Sequence, residues 1–438
     1  TLASDAITTG TENASLGYWS LSGNTTGNYN TALGSRALTI STTASNNTAV
    51  GYSALHANTT GANNVAVGQA ALGANTTASN NTAVGYNALT ANTTGASNVA
   101  VGYQAADAIT TGSDNVSVGL AALTSDTLGK KSVAVGNYSL AYQNFTSATD
   151  TYNTAVGHLA GNQVTTGTNN TLIGGLAGDA ITTGQANTAL GYRSLSATTT
   201  ASSNTAIGAD SLTANTTGTS NTAVGRDTLN QQTTASYNTA LGHQALNLNT
   251  SGANNTASGF KALYANTTGA SNVAVGALAL DANTTGASNC GIGLNAAGGV
   301  TTGSHNIGIG NGTLVDTVAL TTGSQNICIG NFTRTDAVDS TYATGLGYNL
   351  SAASGYTTLG RDASDIRAVH GVATWAAVSD QRYKKDIVDS TAGLSFINAL
   401  QPRTFKYKTL GELPETFNAY KADSTEVFKN SDTNHGFI

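Results

Sequence analysis

The sequence has little of what fills an ordinary globular core. Its 438 residues include no methionine, two prolines and two tryptophans, and only 6% are aromatic. Charged residues make up 9%, whereas glycine occupies 51 positions. With so few large side chains the protein cannot fill a wide core, so its burial must come from many thin stacked layers or from packing between subunits. This composition indicates a fibre or a solenoid.

Charge is also scarce, which narrows the possible partners. The formal net charge is −6 with only 17 basic residues, so no basic stripe can neutralise a phosphate backbone and we expect no nucleic-acid partner. No stretch reaches the roughly 20 apolar residues of a membrane span, and the N-terminus has no basic-then-apolar signal segment. Because Thr1 stands in place of an initiator methionine, we expect a piece of a longer polypeptide.

What the sequence does contain is an internal repeat of 17 residues. A motif of the form Asn-x-Ala-Val-Gly recurs, with one step of 21 residues where the segment 144–150 supplies the extra length. The regular glycines are Gly17, Gly34, Gly51, Gly68, Gly85, Gly102, Gly119, Gly136, Gly157, Gly174, Gly191, Gly208, Gly225, Gly242, Gly259, Gly276, Gly293 and Gly310. Weaker copies end at Gly330, Gly347 and Gly360. A fixed short period predicts a solenoid with one layer per repeat.

The unit 81–97 shows how one layer is expected to fold. Alternation over residues 81–84 is typical of a strand, and we expect the aliphatic residue before the glycine to line the inside. A leucine four residues after the glycine, here Leu89, is expected to form the facing wall in a second short strand. The next segment, Asn-Thr-Thr-Gly, gathers turn formers. At about 4.8 Å per layer, the regular glycines predict a rod about 85 Å long.

A single coil of 17 residues encloses little apolar volume, so we expect lateral association into a homotrimer. Cys290 and Cys328 lie about two repeats apart, too far to pair within one chain, and are interpreted as small buried apolar residues. The six histidines have no metal-ligand spacing, so we predict no metal and no cofactor. A threefold axis could gather His305 or the repeat asparagines around an ion, but surface and structural roles are favoured.

The repeat resembles the head repeat of trimeric autotransporter adhesins of the YadA type, over roughly residues 13–330. That resemblance implies a parallel β-roll, three copies of which form a trimer. The longer spacing and the Asn-Thr-Thr-Gly turn depart from the family pattern and leave the roll geometry open. Similar repeats also occur in bacteriophage fibres.

From about Arg361 large and charged residues return, and a different domain begins. Residues 379–387 read Ser-Asp-Gln-Arg-Tyr-Lys-Lys-Asp-Ile and resemble the signature of the endosialidase-type intramolecular chaperone of phage fibres and tailspikes. Residues 399–408 are similar to a later segment of that family, and residues 435–438 to the start of one of its helices. Because the sequence stops inside this last motif, we expect an incomplete chaperone domain.

The resemblance implies that the chaperone trimerises the fibre and then cuts itself off at the Ser379-Asp380 bond. Ser379 and Lys384 would form the catalytic pair, since a lysine whose pKa is lowered by desolvation can take the serine proton. Attack by Ser379 on its own carbonyl would close a strained four-membered ring, so water or a neighbouring chain remains an alternative, and Asp380 could participate. A capped helix start is the non-catalytic interpretation of the same residues.

Receptor contacts leave little trace in the sequence. The insertions near Phe145 and Val315 could present distinct surface, and so could the tyrosines after the repeat glycines, although packing is favoured for these. The tyrosines are Tyr52, Tyr86, Tyr103 and Tyr192. Acidic residues are dispersed and lie mostly in predicted turns, which argues against a glycoside hydrolase within the repeat. They are exemplified by Asp107, Asp114, Asp126, Asp150 and Asp179.

Together these observations predict an all-β fold, a 17-residue-repeat parallel β-roll or β-solenoid in a homotrimeric fibre, followed by a small α-containing chaperone segment. Residues 1–330 form the shaft, 331–378 an irregular connection and 379–438 the start of the chaperone. The expected function is structure and host attachment in a phage virion, with autoproteolysis but no metabolic activity. Expected partners are other tail proteins and a cell-surface receptor, a glycan or outer-membrane component. A bacterial surface adhesin is the main alternative; an ice-binding solenoid with threonine ladders is a distant one.

Overall fold

The computed structural model describes residues 3–315, 320–362, 364–372, 376–377, 402–405, 410, 420–426 and 434–437. The chain divides into an N-terminal unit, Thr1–Val378, and a C-terminal unit, Ser379–Ile438. The described residues form strands and turns but no α-helix, and thus no helix long and apolar enough to cross a membrane.

Short strands, most of three residues, recur at the period of the sequence repeat. They are β1 (Ala14–Leu16), β2 (Thr31–Leu33), β3 (Thr48–Val50), β4 (Val65–Val67), β5 (Thr82–Val84), β6 (Val99–Val101), β7 (Val116–Val118), β8 (Gly129–Lys130), β9 (Val133–Val135), β10 (Thr149–Asp150), β11 (Thr154–Val156), β12 (Thr171–Ile173), β13 (Thr188–Leu190), β14 (Thr205–Ile207), β15 (Thr222–Val224), β16 (Thr239–Leu241), β17 (Thr256–Ser258), β18 (Val273–Val275), β19 (Cys290–Ile292), β20 (Ile307–Ile309), β21 (Ile327–Ile329), β22 (Arg334–Thr335), β23 (Thr344–Tyr348), β24 (Ser351–Ala352), β25 (Tyr356–Arg361), β26 (Ser364–Val369), β27 (Ala376–Ala377), β28 (Pro402–Phe405) and β29 (Asn434–Phe437).

One 23-stranded sheet runs through the N-terminal unit. Its strands are parallel and in register from coil to coil, so that Thr82 of β5 pairs with Val99 of β6 and Val84 pairs with Val101. This order continues to β25, which then pairs antiparallel with β26, as β26 does with β27. The pairs β8–β10 and β22–β24 form two further parallel sheets. The repeat is therefore a parallel β-solenoid, as predicted.

Each regular coil contains one strand of this sheet, so the prediction of a second strand was wrong. The facing wall consists of turns, and its residues Asn87 and Leu89 have left-handed backbones with φ of 55° and 51°. The N–H of Asn87 donates to the previous coil (Gln69 O, 3.0 Å), and that of Leu89 donates to the next (Ala105 O, 3.0 Å). Ala88 and Leu89 are both fully buried, which the alternating faces of a strand do not allow.

The strands also face the other way from the prediction. In β5 the middle residue, Ala83, is fully buried inside the coil, whereas Thr82 and Val84 on either side are partly exposed. The aliphatic residue before the glycine points outward in other coils too, as at Leu33, which is 38% exposed. The prediction failed because alternation determines which residues share a face but not which face is inside. The interior accommodates alanine opposite leucine.

A glycine follows most strands because the backbone there has a positive φ and the coils stack closely. Gly85 has φ of 140°, which L side chains rarely adopt. A Cβ at this position would collide with the carbonyl group of Gly102 in the next coil. The 17-residue recurrence of glycine thus reflects a corner at which two backbones touch.

Two columns of buried asparagine hold the coils together from inside. In the column before the strands, the N–H of Asn98 donates to Asn81 Oδ1 at 2.8 Å, and Asn98 Nδ2 donates to Gly112 O at 2.9 Å. In the second column, Asn75 Nδ2 donates to Asn58 Oδ1 at 2.8 Å. Buried amides are stable here because each coil supplies partners to the next.

Some coils lack the leucine four residues after the glycine. In these coils a larger apolar residue stands three residues further along the chain. Ala106 stands in the leucine column and Ile109 in the second asparagine column, and both are buried. A Cβ on Gly178 would lie 2.8 Å from Ile181 Cδ1, so the isoleucine occupies the space of the missing leucine. The same exchange occurs at Gly161 with Val164 and at Ala297 with Val300. The coils conserve core volume rather than residue identity.

In the C-terminal unit, β28 pairs antiparallel with β29, Pro402 opposite Phe437 and Phe405 opposite Asn434. Proline fits the first position of a strand, where the ladder needs no donor. The expected helix start at residues 435–438 is therefore wrong for His435, Gly436 and Phe437, which belong to β29. A helical C-terminal segment is not found among the described residues of this unit.

Candidate subunit interface and processing site

The outward side of the main sheet carries a continuous apolar surface, here called the outer apolar face. It comprises the first and third residues of strands β1–β7, β9 and β11–β21. Its exposed members include Leu16 (73%), Leu33, Val65, Val101, Leu190, Leu241 (51%), Val273, Val275, Ile292, Ile327 and Ile329. Most aliphatic residues of these strands thus point outward, away from the interior of the coil.

No charged residue occupies the first or third position of these strands. The first position holds threonine, valine, cysteine or isoleucine apart from Ala14, and the third holds an aliphatic residue except at Ser258. With about 4.8 Å between neighbouring strands, this apolar stripe is on the order of 90 Å long. A soluble monomer rarely exposes an apolar patch of this extent, so the face has the character of a protein–protein interface.

Aromatic rings border this face at the position after the coil glycine. Tyr52, Tyr86, Tyr103 and Tyr192 are between 41% and 54% exposed. Tyr86 and Tyr103 stack between adjacent coils, with ring centroids 5.2 Å apart and planes 11° apart. Packing between layers, the interpretation favoured from sequence, is confirmed for this pair.

The coil with the insertion contains a buried polar network. The carboxylate of Asp126 accepts hydrogen bonds from Gln143 Nε2 (2.6 Å) and from the backbone N–H of Gly129 (3.0 Å). Gln143 also donates to Ser132 Oγ at 2.8 Å. Burial raises the pKa of Asp126, against the lowering effect of these hydrogen bonds. Phe145, expected to present distinct surface, is only 6% exposed and packs inward.

An exposed ion pair lies beside this network. Lys131 Nζ approaches Asp150 Oδ2 to 2.6 Å and Tyr152 Oη to 3.2 Å. The hydrogen bond from Lys131 lowers the pKa of Asp150, and the same bond raises the pKa of Lys131. Both side chains are about two-fifths exposed, so the pair adds local order and little stability.

A third side of the solenoid carries paired threonines. In the inner of the two columns most hydroxyls donate to the carbonyl of the corresponding threonine one coil later. Thr76 Oγ1 donates to Thr93 O (3.0 Å), and Thr93 Oγ1 donates to Thr110 O (3.1 Å). Thr94, in the outer column, is exposed. The predicted threonine ladders exist, and their inner hydroxyls join coil to coil.

The two cysteines lie at different strand positions. Cys328 is the middle residue of β21 and fully buried, and burial raises the pKa of its thiol to about 12. Cys290 is the first residue of β19 and lies half-buried on the outer apolar face, so the prediction of burial within the coil was wrong for it. His305, considered as an ion ligand, is exposed, and no cluster of three His, Cys, Asp or Glu able to hold a metal occurs in the described part of the chain.

Comparison with known proteins bears on the C-terminal unit. Residues 379–438 match the family described as chaperone of endosialidase. The C-terminal unit is a chaperone-of-endosialidase domain. No curated protein and no solved structure matches the chain. The resemblance of the repeat to YadA-type heads therefore stays a prediction.

The residues predicted to perform the chemistry belong to this chaperone domain. Ser379, Asp380 and Lys384 lie outside the described residues, so their roles stay predictions based on the motif. The outer apolar face was missed from sequence because the aliphatic column was assigned to the interior. The signal that could have revealed it is that the middle strand residue, alanine in most repeats, is smaller than the residues on either side of it.

Proposed function

We propose that this chain forms a homotrimeric fibre in which the outer apolar faces of three solenoids pack against each other. The observation that carries the proposal is the long uncharged surface of aliphatic and threonine side chains left outside the coils. Three copies of one face meeting around an axis would bury that surface and close the assembly. A chaperone-of-endosialidase domain at the C-terminus supports it, because this family implies trimer formation.

The second part of the proposal is maturation by cleavage between Ser379 and Asp380. Water directed by Ser379, or Ser379 of a neighbouring chain, would attack the Ser379 carbonyl carbon. Lys384 in a desolvated setting would accept the proton of the nucleophile and pass it to the departing amine of Asp380, and water would hydrolyse any ester formed by the serine. Release of the chaperone would leave a trimer that cannot readily reassemble once unfolded, which gives kinetic rather than equilibrium stability. A cut after Ser379 would fall at the start of the matching segment, 379–438, and would therefore release the domain nearly whole.

The biological setting follows from the pairing of a rod with such a chaperone. We assign the fibre to a phage virion, where it would join other tail proteins and contact a host receptor, a glycan or outer-membrane component. A bacterial surface adhesin is the competing assignment, since its head repeats resemble these. Ice binding is disfavoured because the inner threonine hydroxyls are engaged with the backbone of the next coil.

The test compares the full-length protein with its Ser379→Ala variant. We expect the unmutated protein to lose the C-terminal piece and the variant to keep it, by denatured mass, while native mass gives a trimer for both. Lys384→Ala should slow the cut, whereas neighbouring Lys385→Ala should not. Cleavage that persists in Ser379→Ala would overturn the processing proposal, and monomers of both proteins would overturn the fibre.

A further inference from the structure

A cleft opens on the side of the first coils, away from the strand columns of the outer apolar face. Its volume is about 500 Å³, within the range of small-ligand sites. Its lining includes the indole of Trp19, the aliphatic chain of Ile40 and the polar side chains of Asp5, Ser22, Thr39 and Thr42.

Two large apolar residues from consecutive coils build this cleft. Trp19 stands two residues after its coil glycine, a column that holds Ser53 and Ala70 in later coils. Ile40, 43% exposed, occupies a column that continues with Ala57 and Ala74. The first column also holds Tyr138, Leu159, Leu176 and Leu278, and the second holds Tyr142 and Leu248. Among the regular coils, however, Trp19 and Ile40 are the one case in which consecutive coils carry a large apolar residue in both columns, and together they form two apolar walls.

The indole is held in place by its neighbours. Tyr18 stacks on Trp19 with ring centroids 4.8 Å apart, and the guanidinium of Arg36 lies 5.7 Å from the indole centroid. Stacking and cation–π contacts of this kind fix the ring before any ligand arrives. Little ordering of the wall is then required on binding.

The polar groups of the cleft are mainly acceptors. The Thr39 hydroxyl donates to Trp19 O at 3.2 Å and the Ser22 hydroxyl to Thr39 O at 3.4 Å, which leaves their oxygen lone pairs available. Asp5 adds an exposed carboxylate at the rim. A ligand that fits has an apolar C–H face for the indole and several hydroxyl donors, and the carboxylate disfavours an anion.

We propose that this cleft binds a neutral pyranose unit of a glycan, with its C–H face against Trp19 and Ile40 and its hydroxyls donating to Asp5 and the threonine oxygens. This cleft is the place where the receptor of the proposed fibre would bind. The inference rests on the proposed function only for this biological role. Binding of the sugar itself is a property of the folded coils.

The test uses the full chain carrying Trp375→Phe, so that Trp19 is the sole tryptophan. Its emission is titrated with the methyl glycosides of glucose, galactose, mannose, N-acetylglucosamine and rhamnose. We expect a saturable change with at least one of them. Saturation-transfer NMR of that sugar should then weaken at least about tenfold in Trp19→Ala and several-fold in Asp5→Asn.

Tyr138→Ala is the matched control, since Tyr138 is 41% exposed in the same column as Trp19 but does not line this cleft. It should leave the sugar signal unchanged, and circular dichroism should show all variants folded. No saturable response across the panel, or undiminished binding by Trp19→Ala, would overturn the site. Native mass of the same samples tests the trimer separately, so a trimer that binds no sugar refutes the cleft alone.

Discussion

The two sides of one strand show how this protein divides its apolar residues. In β6 the middle residue, Ala100, is fully buried inside the coil, whereas Val101 beside it is 36% exposed. The smaller side chain is inside and the larger one outside, the reverse of an ordinary half-buried sheet. The comparison teaches that each coil is stabilised inside by alanine, leucine and asparagine, whereas the larger aliphatic residues of the strands lie outside, on the face through which we propose that the chains pack.

The largest effect is expected from a charge placed on the inner side. Ala100→Lys would force a long cationic side chain into a fully occupied coil, with a cost of more than about 4 kcal/mol. We expect loss of the strand signal in circular dichroism and loss of soluble protein. Val101→Lys, one residue later and on the outer side, should keep the fold. Equal damage from both variants would contradict the inward–outward distinction.

A smaller effect tests whether the interior conserves volume. Ala106→Leu alone should overpack the coil against Ile109, and Ile109→Asn alone should leave a cavity, each lowering the free energy of unfolding by about 2 to 3 kcal/mol. The double variant recreates the common leucine–asparagine coil and gives Asn92 Oδ1, unpaired at present, a donor. Chemical denaturation should place it within about 1 kcal/mol of the unmutated protein. If the double variant instead loses the sum of the two single losses in free energy of unfolding, the interpretation that one residue replaces the volume of the other is contradicted.

The smallest effect concerns the buried carboxyl group at the insertion. Because the pKa of Asp126 is raised in the folded state, the fold binds the extra proton, and the stability from this group is present below its unfolded pKa of about 4 and lost as pH rises through the folded value. Asp126→Asn should therefore have a higher free energy of unfolding than the unmutated protein at pH 7, measured by chemical denaturation. The gain should shrink at pH 4. A constant gain at both pH values would show that ionisation is not its cause.

The periodicity of the sequence was enough to predict a parallel solenoid and its coil boundaries. A glycine such as Gly85 marks the corner of each coil, and that feature is local and repeated. The direction in which Ala83 and Val84 face was not predictable from alternation, since a strand pattern is the same whichever side is inside. Ala88 and Leu89 are adjacent and both buried, which the alternating faces of a strand do not permit. This pair is the feature that distinguishes the turns of the facing wall from a second strand.

The candidate sites differ in how far the sequence reveals them. The motif from Ser379 onward is carried by consecutive residues and therefore agrees with a family match over the same segment. The outer apolar face and the Trp19 cleft are formed by residues from successive coils, so they become visible only once the coils are stacked. Single departures such as Trp19 and Ile40 carry no signal until their columns are known.

The central claim is that the outer apolar face joins three chains, and native mass measured after introducing charges tests it most directly. Val84→Lys, Val101→Lys and Val118→Lys would be combined on that face, with Thr77→Lys, Thr94→Lys and Thr111→Lys on the exposed threonine column as the matched control. The account predicts trimers for the unmutated protein and the threonine variant, and folded monomers for the valine variant. A valine variant that remains trimeric, or an unmutated protein that is monomeric, would contradict it.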